Sequence, residues 1–243
     1  GKLKGYGLFD MNKAMKQTAL SMGVIGNQSQ SLEFNIDKAA NSTLSMGVGI
    51  EELSKYQAEY SEELGRSVML GQKGLKSIAA MAKGTSLGSE GAAKMAADFE
   101  KQGFSAERTK NFIEEAVNSS SKLGLNASKV IKNIQENFKL INKYNFKGGI
   151  KGLVKMAQTT TKLGVDMNFV SGMAEKLFDV EGAVDMSAQL QVMGGAWAKL
   201  ADPFHLMYMA RNDMEGLADE LGKAAEASVH FSKENKSFEI SSL

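Results

Sequence analysis

The stretch Ser121-Lys122-Leu123-Gly124-Leu125-Asn126-Ala127-Ser128-Lys129-Val130 decides the fold. It sets a polar turn, a glycine, an apolar residue and a small polar residue in the order that closes one helix and opens the next. Gly124 suits the left-handed position just past a helix end, a conformation that costs other L-residues about 1–2 kcal/mol. Leu125 can fold back on the last turn, and Asn126 can cap the following helix. Beyond it, Val130, Ile134, Phe138 and Ile141 recur at helical spacing, while Lys132, Asn133, Gln135, Glu136 and Lys139 fill the opposite face. The reading is of short amphipathic helices joined by tight corners.

The same order recurs along the chain: Ser45-Met46-Gly47-Val48, Lys101-Gln102-Gly103-Phe104-Ser105 and Lys162-Leu163-Gly164-Val165-Asp166, with Ser21-Met22-Gly23-Val24 as a weaker copy. Gly23, Gly47, Gly103, Gly124 and Gly164 are therefore predicted helix stops. Further stripes run through Leu8, Met11, Met15 and Met22, through Ile50, Leu53, Tyr56, Tyr60 and Leu64, through Phe112, Ala116 and Ser120, and through Phe169, Met173 and Leu177. None keeps a strict heptad, which disfavours a long coiled coil. Phe138, Phe169 and Trp197 are expected to pack. Asp202-Pro203 reads as the cap and first turn of one last helix running to about Ser228.

One proline and no cysteine in 243 residues, with 15 Met, is a helix-forming composition without disulfides or thiolate chemistry. The expected fold is all-α: an irregular array of short antiparallel helical hairpins with glycine-capped corners and little or no β. Gly84, Gly88 and Gly91 crowd together with Thr85, Ser86 and Ser89, which suggests N-terminal hairpins over 1–84 and a hairpin domain over 85–230. Residues 231–243 read as a polar tail leading out of the fragment, since the chain opens without Met or a secretory signal and resembles an interior piece of a longer protein. The formal net charge is +1, and the two signs read as interspersed, which argues against a dedicated nucleic-acid or anionic-membrane surface. No apolar stretch approaches the roughly 20 residues of a membrane-spanning helix.

Chemistry is sparse. His205 and His230 are too far apart for a local metal pair. Adjacent carboxylates such as Glu51-Glu52, Glu62-Glu63 and Glu114-Glu115 point about 100 degrees apart on a helix and read as solvated faces. Gly148-Gly149 and Gly194-Gly195 lack phosphate-loop spacing and fit close packing or a bend. No catalytic residue, metal ligand or cofactor is expected.

Taken in order, Glu51-Glu52-Leu53, Glu63-Leu64-Gly65-Arg66-Ser67, Gly103-Phe104-Ser105-Ala106-Glu107-Arg108-Thr109 and the stretch from Ser121 to Val130 resemble the helical region of tail tape measure proteins of large tailed bacteriophages. The resemblance continues through Lys162 to Asp166, Leu177-Phe178-Asp179-Val180-Glu181 and Arg211-Asn212-Asp213-Met214-Glu215-Gly216-Leu217. Between the last two, Met186 to Trp197 is less charged than the family pattern. The resemblance implies an interior portion of a virion structural protein in the tail-tube lumen. Such a protein is synthesised in the bacterial cytoplasm, sets tube length, scaffolds tube assembly and is expelled before DNA at infection. It implies as partners the tail tube protein, other copies of itself, tail assembly chaperones and tail-tip proteins, with no sequence-specific nucleic acid and no stable membrane insertion. In extended helix 243 residues would span at most roughly 360 Å, and hairpins would span far less. The alternatives are a helical adaptor or chaperone-like module whose Met-rich stripes receive a partner helix, and a membrane-active ejected helical domain.

Overall fold

The computed structural model describes the backbone of residues 4–232 and 237–240, and the side-chain surroundings of residues 13–228. The fold is all-α, with one short terminal β-hairpin. The chain divides into two compact units, Gly1–Asn118 and Ser119–Leu243.

The first unit contains α1 (Lys4–Ser21), α2 (Asn27–Thr43), α3 (Ile50–Leu64), α4 (Gln72–Gly84), α5 (Gly88–Glu100) and most of α6 (Ala106–Lys122), inside which the division falls. Helix α3 is its axis, packing on α1, α2, α4 and α5. Leu53, Tyr56 and Tyr60 form its buried face, as the helical spacing predicts. Helix α5 buries Ala92, Ala93, Ala96 and Ala97 completely, so short side chains let it lie close to α3 and α4 while Met95 and Phe99 fill the remaining volume. Phe99 meets Phe104 edge-on at 5.6 Å between ring centroids. The Gly84–Gly91 stretch is a corner between α4 and α5, two helices packed together within this unit.

An irregular segment joins α3 to α4 and is held by the buried Gln57. Its amide donates to Ser61 Oγ at 3.0 Å and to the Val68 carbonyl at 2.8 Å, and its carbonyl accepts from the Leu70 amide at 2.7 Å. Two backbone groups of the segment, the Val68 carbonyl and the Leu70 amide, are thereby paired without secondary structure.

The second unit follows with α7 (Ala127–Glu136), α8 (Leu140–Lys143), α9 (Ile150–Leu163), α10 (Met167–Lys176), α11 (Val180–Met193), α12 (Gly195–Ala198), α13 (Pro203–Asn212) and α14 (Met214–Ser228). Helix α9 is central, lying against α7 and α14. At Gly222 of α14 an added Cβ would sit 3.0 Å from the Thr159 methyl and 3.2 Å from Leu163, so the small residue sets the approach of α14 to α9.

The single helix expected from Pro203 to Ser228 is two. Asp202 caps α13 as anticipated, accepting from the amides of Phe204 and His205. At Asp213 the backbone leaves helical geometry, with φ −152° and ψ 72°, and its carboxylate accepts from the Gly216 amide at 2.9 Å to cap a second helix. The segment read as a polar tail contributes to a hairpin. Strand β1 (Val229–Ser232) pairs antiparallel with β2 (Ser237–Ile240), setting Val229 opposite Ile240 and Phe231 opposite Phe238.

Candidate functional site: an apolar groove in the second unit

The helix stops position everything in the second unit. Gly124 and Gly164 stand at φ 71° and 70°, and around each the same two hydrogen bonds form. The glycine amide donates back three residues, and the next amide donates back five, as Leu125 does to Ser120 at 2.9 Å and Val165 to Thr160 at 3.0 Å. This pair satisfies two of the carbonyls that a helix end leaves free. Gly23, Gly47 and Gly103 of the first unit have the same sign of φ and the same bonding pattern. Gly65 is a sixth such stop with the same two hydrogen bonds, but the charged Arg66 stands after it where the other five have an apolar residue. After three of the stops a polar side chain caps the next helix: Ser105 accepts from the Arg108 amide at 3.3 Å, Asn126 from the Lys129 amide and Asp166 from the Asn168 amide.

The corner at Gly164 turns α10 back and leaves a groove of about 590 Å³. Its lining comes from the end of α9 and from α10, α11, α12 and α14, and includes Val165, Phe169, Met173, Met186, Met193 and Trp197. The charged groups of the lining, Lys162 and Glu226, are paired with each other at 2.7 Å. A concave surface of this composition is suited to apolar groups, and thioether side chains give it an adaptable shape.

Phe138 is buried between α7 and α8. Phe169 is placed otherwise than its stripe suggests: α10 buries Met167, Val170 and Ala174 and turns Phe169 outward, 60% exposed, onto the groove. Asp166 caps the helix, which starts at Met167. Trp197 sits half-buried in α12, on the groove wall. Exposed Val180, Val184, Phe204 and Tyr208 extend the apolar surface of this unit along α11 and α13.

Other polar features are structural. Glu215, at the start of α14, is buried and accepts from the amides of Lys147 and Gly148 at 3.0 and 2.5 Å, stapling the turn before α9 to α14. Gly148 and Gly152 make room for it, since an added Cβ would lie 3.2 and 2.6 Å from its carboxylate, whereas Gly149 serves the turn by its φ of 57°. Gly194, at φ 68°, ends α11 and leads into α12. His205 contacts Glu220 at 2.9 Å across α13 and α14, and the side chain of His230 lies outside the described residues. In the first unit Glu52 pairs with Lys83 at 3.1 Å and Glu63 with Lys101 at 2.9 Å, and Glu114 pairs with Lys110 at 2.8 Å. Burial pushes the Glu63 carboxyl up, but the hydrogen bond and charge of Lys101, with Lys94 beside it, outweigh burial and hold it below its ordinary value. Burial holds Asp98, bonded to the same lysine, above its ordinary value.

Among the described residues no group of His, Asp and Glu is arranged to hold a metal ion, and no helix is long and apolar enough to cross a membrane. Comparison with family models, with curated proteins and with solved structures finds no match to this chain.

The interspersed charge read from the totals does not hold within the second unit. Nine lysines and one acidic residue lie between Lys122 and Lys162, and eleven acidic against four basic residues lie between 163 and 228. The near-zero net charge concealed this.

Proposed function

We propose that this chain is a non-enzymatic structural segment of a tape-measure-type phage tail protein, located in the tail-tube lumen and working through contacts with other proteins. The observation that carries the reading is the ordered series of motifs from Glu51-Glu52-Leu53 to Arg211 through Leu217. A ruler role is compatible with a chain of short helices if tube assembly sets the spacing of folded modules, or if the stops straighten inside the tube. In-frame deletion of the segment in the phage that encodes it is expected to shorten the tail. A tail of unchanged length would remove the ruler role from this segment.

The groove favours a second reading, a helical adaptor that receives a partner helix on Phe169, Met173 and Met193. Capture of a defined partner that is lost on Met173→Asp, together with normal tails in the deletion phage, would favour the adaptor over the ruler.

A further inference from the structure

The break between α13 and α14 interrupts a helical pattern that continues through it. Leu206, Ala210, Met214, Leu217, Leu221 and Ala224 are all buried and follow one another by three or four residues, so one stripe runs in phase across both helices. Asp213 alone leaves helical geometry, at φ −152° and ψ 72°. It folds α13 back on α14, so that His205 contacts Glu220 at 2.9 Å. Fifteen residues of continuous helix would hold the two roughly 22 Å apart.

A continuous helix would bond the amides of Met214, Glu215 and Gly216 to the carbonyls of Ala210, Arg211 and Asn212. Here other groups stand in. The Met214 amide donates to the Asn145 carbonyl at 3.0 Å, and the Arg211 carbonyl accepts from the Asn145 side-chain amide at 2.8 Å. The Gly216 amide donates to the Asp213 carboxylate at 2.9 Å. One asparagine, 66 residues from Arg211, thus takes a backbone group on each side of the break. Glu215 holds the same loop by the amides of Lys147 and Gly148. Asn145 is exposed, so water competes for its bonds, while the buried Tyr144 and Phe146 keep the loop in place.

We propose that residues 203–228 are a two-state element: a hairpin while Asn145 and Glu215 latch it, and one continuous helix of about 39 Å once the latch is released. The conversion needs rotation about the backbone bonds of Asp213 alone. It keeps the bonds from Asp213 to Met209 and from Leu217 to Asp213, which are already helical, and adds three. Its cost is the apolar contact that α13 gives up on leaving α11 and α14, so the latched hairpin is the resting form. The inference concerns the chain itself and holds whether or not the chain lies in a tail tube.

The test is a spin-label distance measurement on the full chain carrying Phe204→Cys and Ala227→Cys, exposed positions in a protein with no other cysteine. The hairpin places the two backbones below about 20 Å apart and the continuous helix about 35 Å apart. The labelled parent should show the short distance. Adding Asn145→Ala/Asp213→Ala, which removes the side-chain bond and the cap, should bring in the long distance without loss of far-UV helicity. Asp213→Ala and Asp213→Gly, each made alone, remove the same carboxylate and differ in helix propensity. The long-distance fraction should therefore be about fivefold larger with alanine. This single-variant pair decides the matter if the double variant fails to fold. The proposal is overturned by the short distance alone in every folded variant, or by equal long-distance fractions with alanine and glycine. A broad distribution with reduced helicity overturns it too, since the segment would then melt rather than straighten.

Discussion

The two units use similar helices to different ends. The first unit encloses large side chains, with Tyr56, Tyr60, Phe99, Leu53 and Ile113 almost wholly removed from solvent, and an ion-pair network ties Glu63 on α3 to Lys101 and Lys94. The second unit turns Phe169, Met193, Phe204 and Tyr208 outward, and joins its basic and acidic stretches by ion pairs such as Lys162 to Glu226. Exposed apolar side chains contribute little to folding, because the hydrophobic gain scales with the area removed from water. The first unit leaves Leu20, Ile25, Phe34 and Leu44 exposed as well, so the difference lies in placement: in the second unit exposed apolar side chains such as Phe169 and Met193 line the groove.

The comparison is most sharply broken by core truncation in the first unit. Phe99→Ala removes a fully buried ring in contact with Phe104 and Phe112, and should cost about 3–5 kcal/mol in denaturant unfolding. Phe169→Ala in the second unit should cost less than about 1 kcal/mol, since its ring is mostly solvated. Equal losses at the two positions would erase the distinction. Next in size, Glu215→Ala leaves the amides of Lys147 and Gly148 without their acceptor and should destabilise the second unit by about 1–3 kcal/mol. Hydrogen exchange should then rise at those two amides before it rises elsewhere.

Smaller still is Gly124→Ala. An added Cβ meets no atom within 4 Å, so the penalty is backbone conformation alone, about 1–2 kcal/mol. Gly152→Ala, which drives a Cβ against the Glu215 carboxylate, should exceed it in the same melting assay. The smallest effect concerns pH. The depressed Glu63 carboxyl stabilises the first unit at pH values above its unfolded pKa, and that contribution disappears as pH falls through the lower folded value. The raised Asp98 carboxyl acts in the opposite sense, its penalty at neutral pH being relieved on acidification. Unfolding midpoints between about pH 6 and 3 should therefore fall less for Glu63→Gln than for the parent, whereas Asp98→Asn should fall more.

Much of the architecture could be read from local chemistry. A helix stop at Gly124 or Gly164 needs only a polar turn, a glycine and an apolar residue in sequence, so its geometry is encoded within about six residues. The cap at Asp213 is equally local, but no glycine marks it in a stretch that otherwise keeps a helical pattern. The phase of α10 is not local: the stripe Phe169, Met173 and Leu177 and the buried set Met167, Val170 and Ala174 both keep helical spacing, and packing rather than spacing chooses between them. The groove itself could not be read, because five helices bring its walls together and no segment carries its pattern. The uneven charge of the second unit can be counted along the sequence, but it cancels in the sum over all 243 residues.

The central claim is that this chain is part of a structural ruler that acts by protein contact. In-frame duplication of the segment in the parent phage, with tail lengths measured by electron microscopy, tests it most directly. The account predicts longer tails, by an increment of at most roughly 360 Å and smaller if the helical hairpins persist in the tube. Tails of parental length around a duplicated segment that is present in the particles would contradict it.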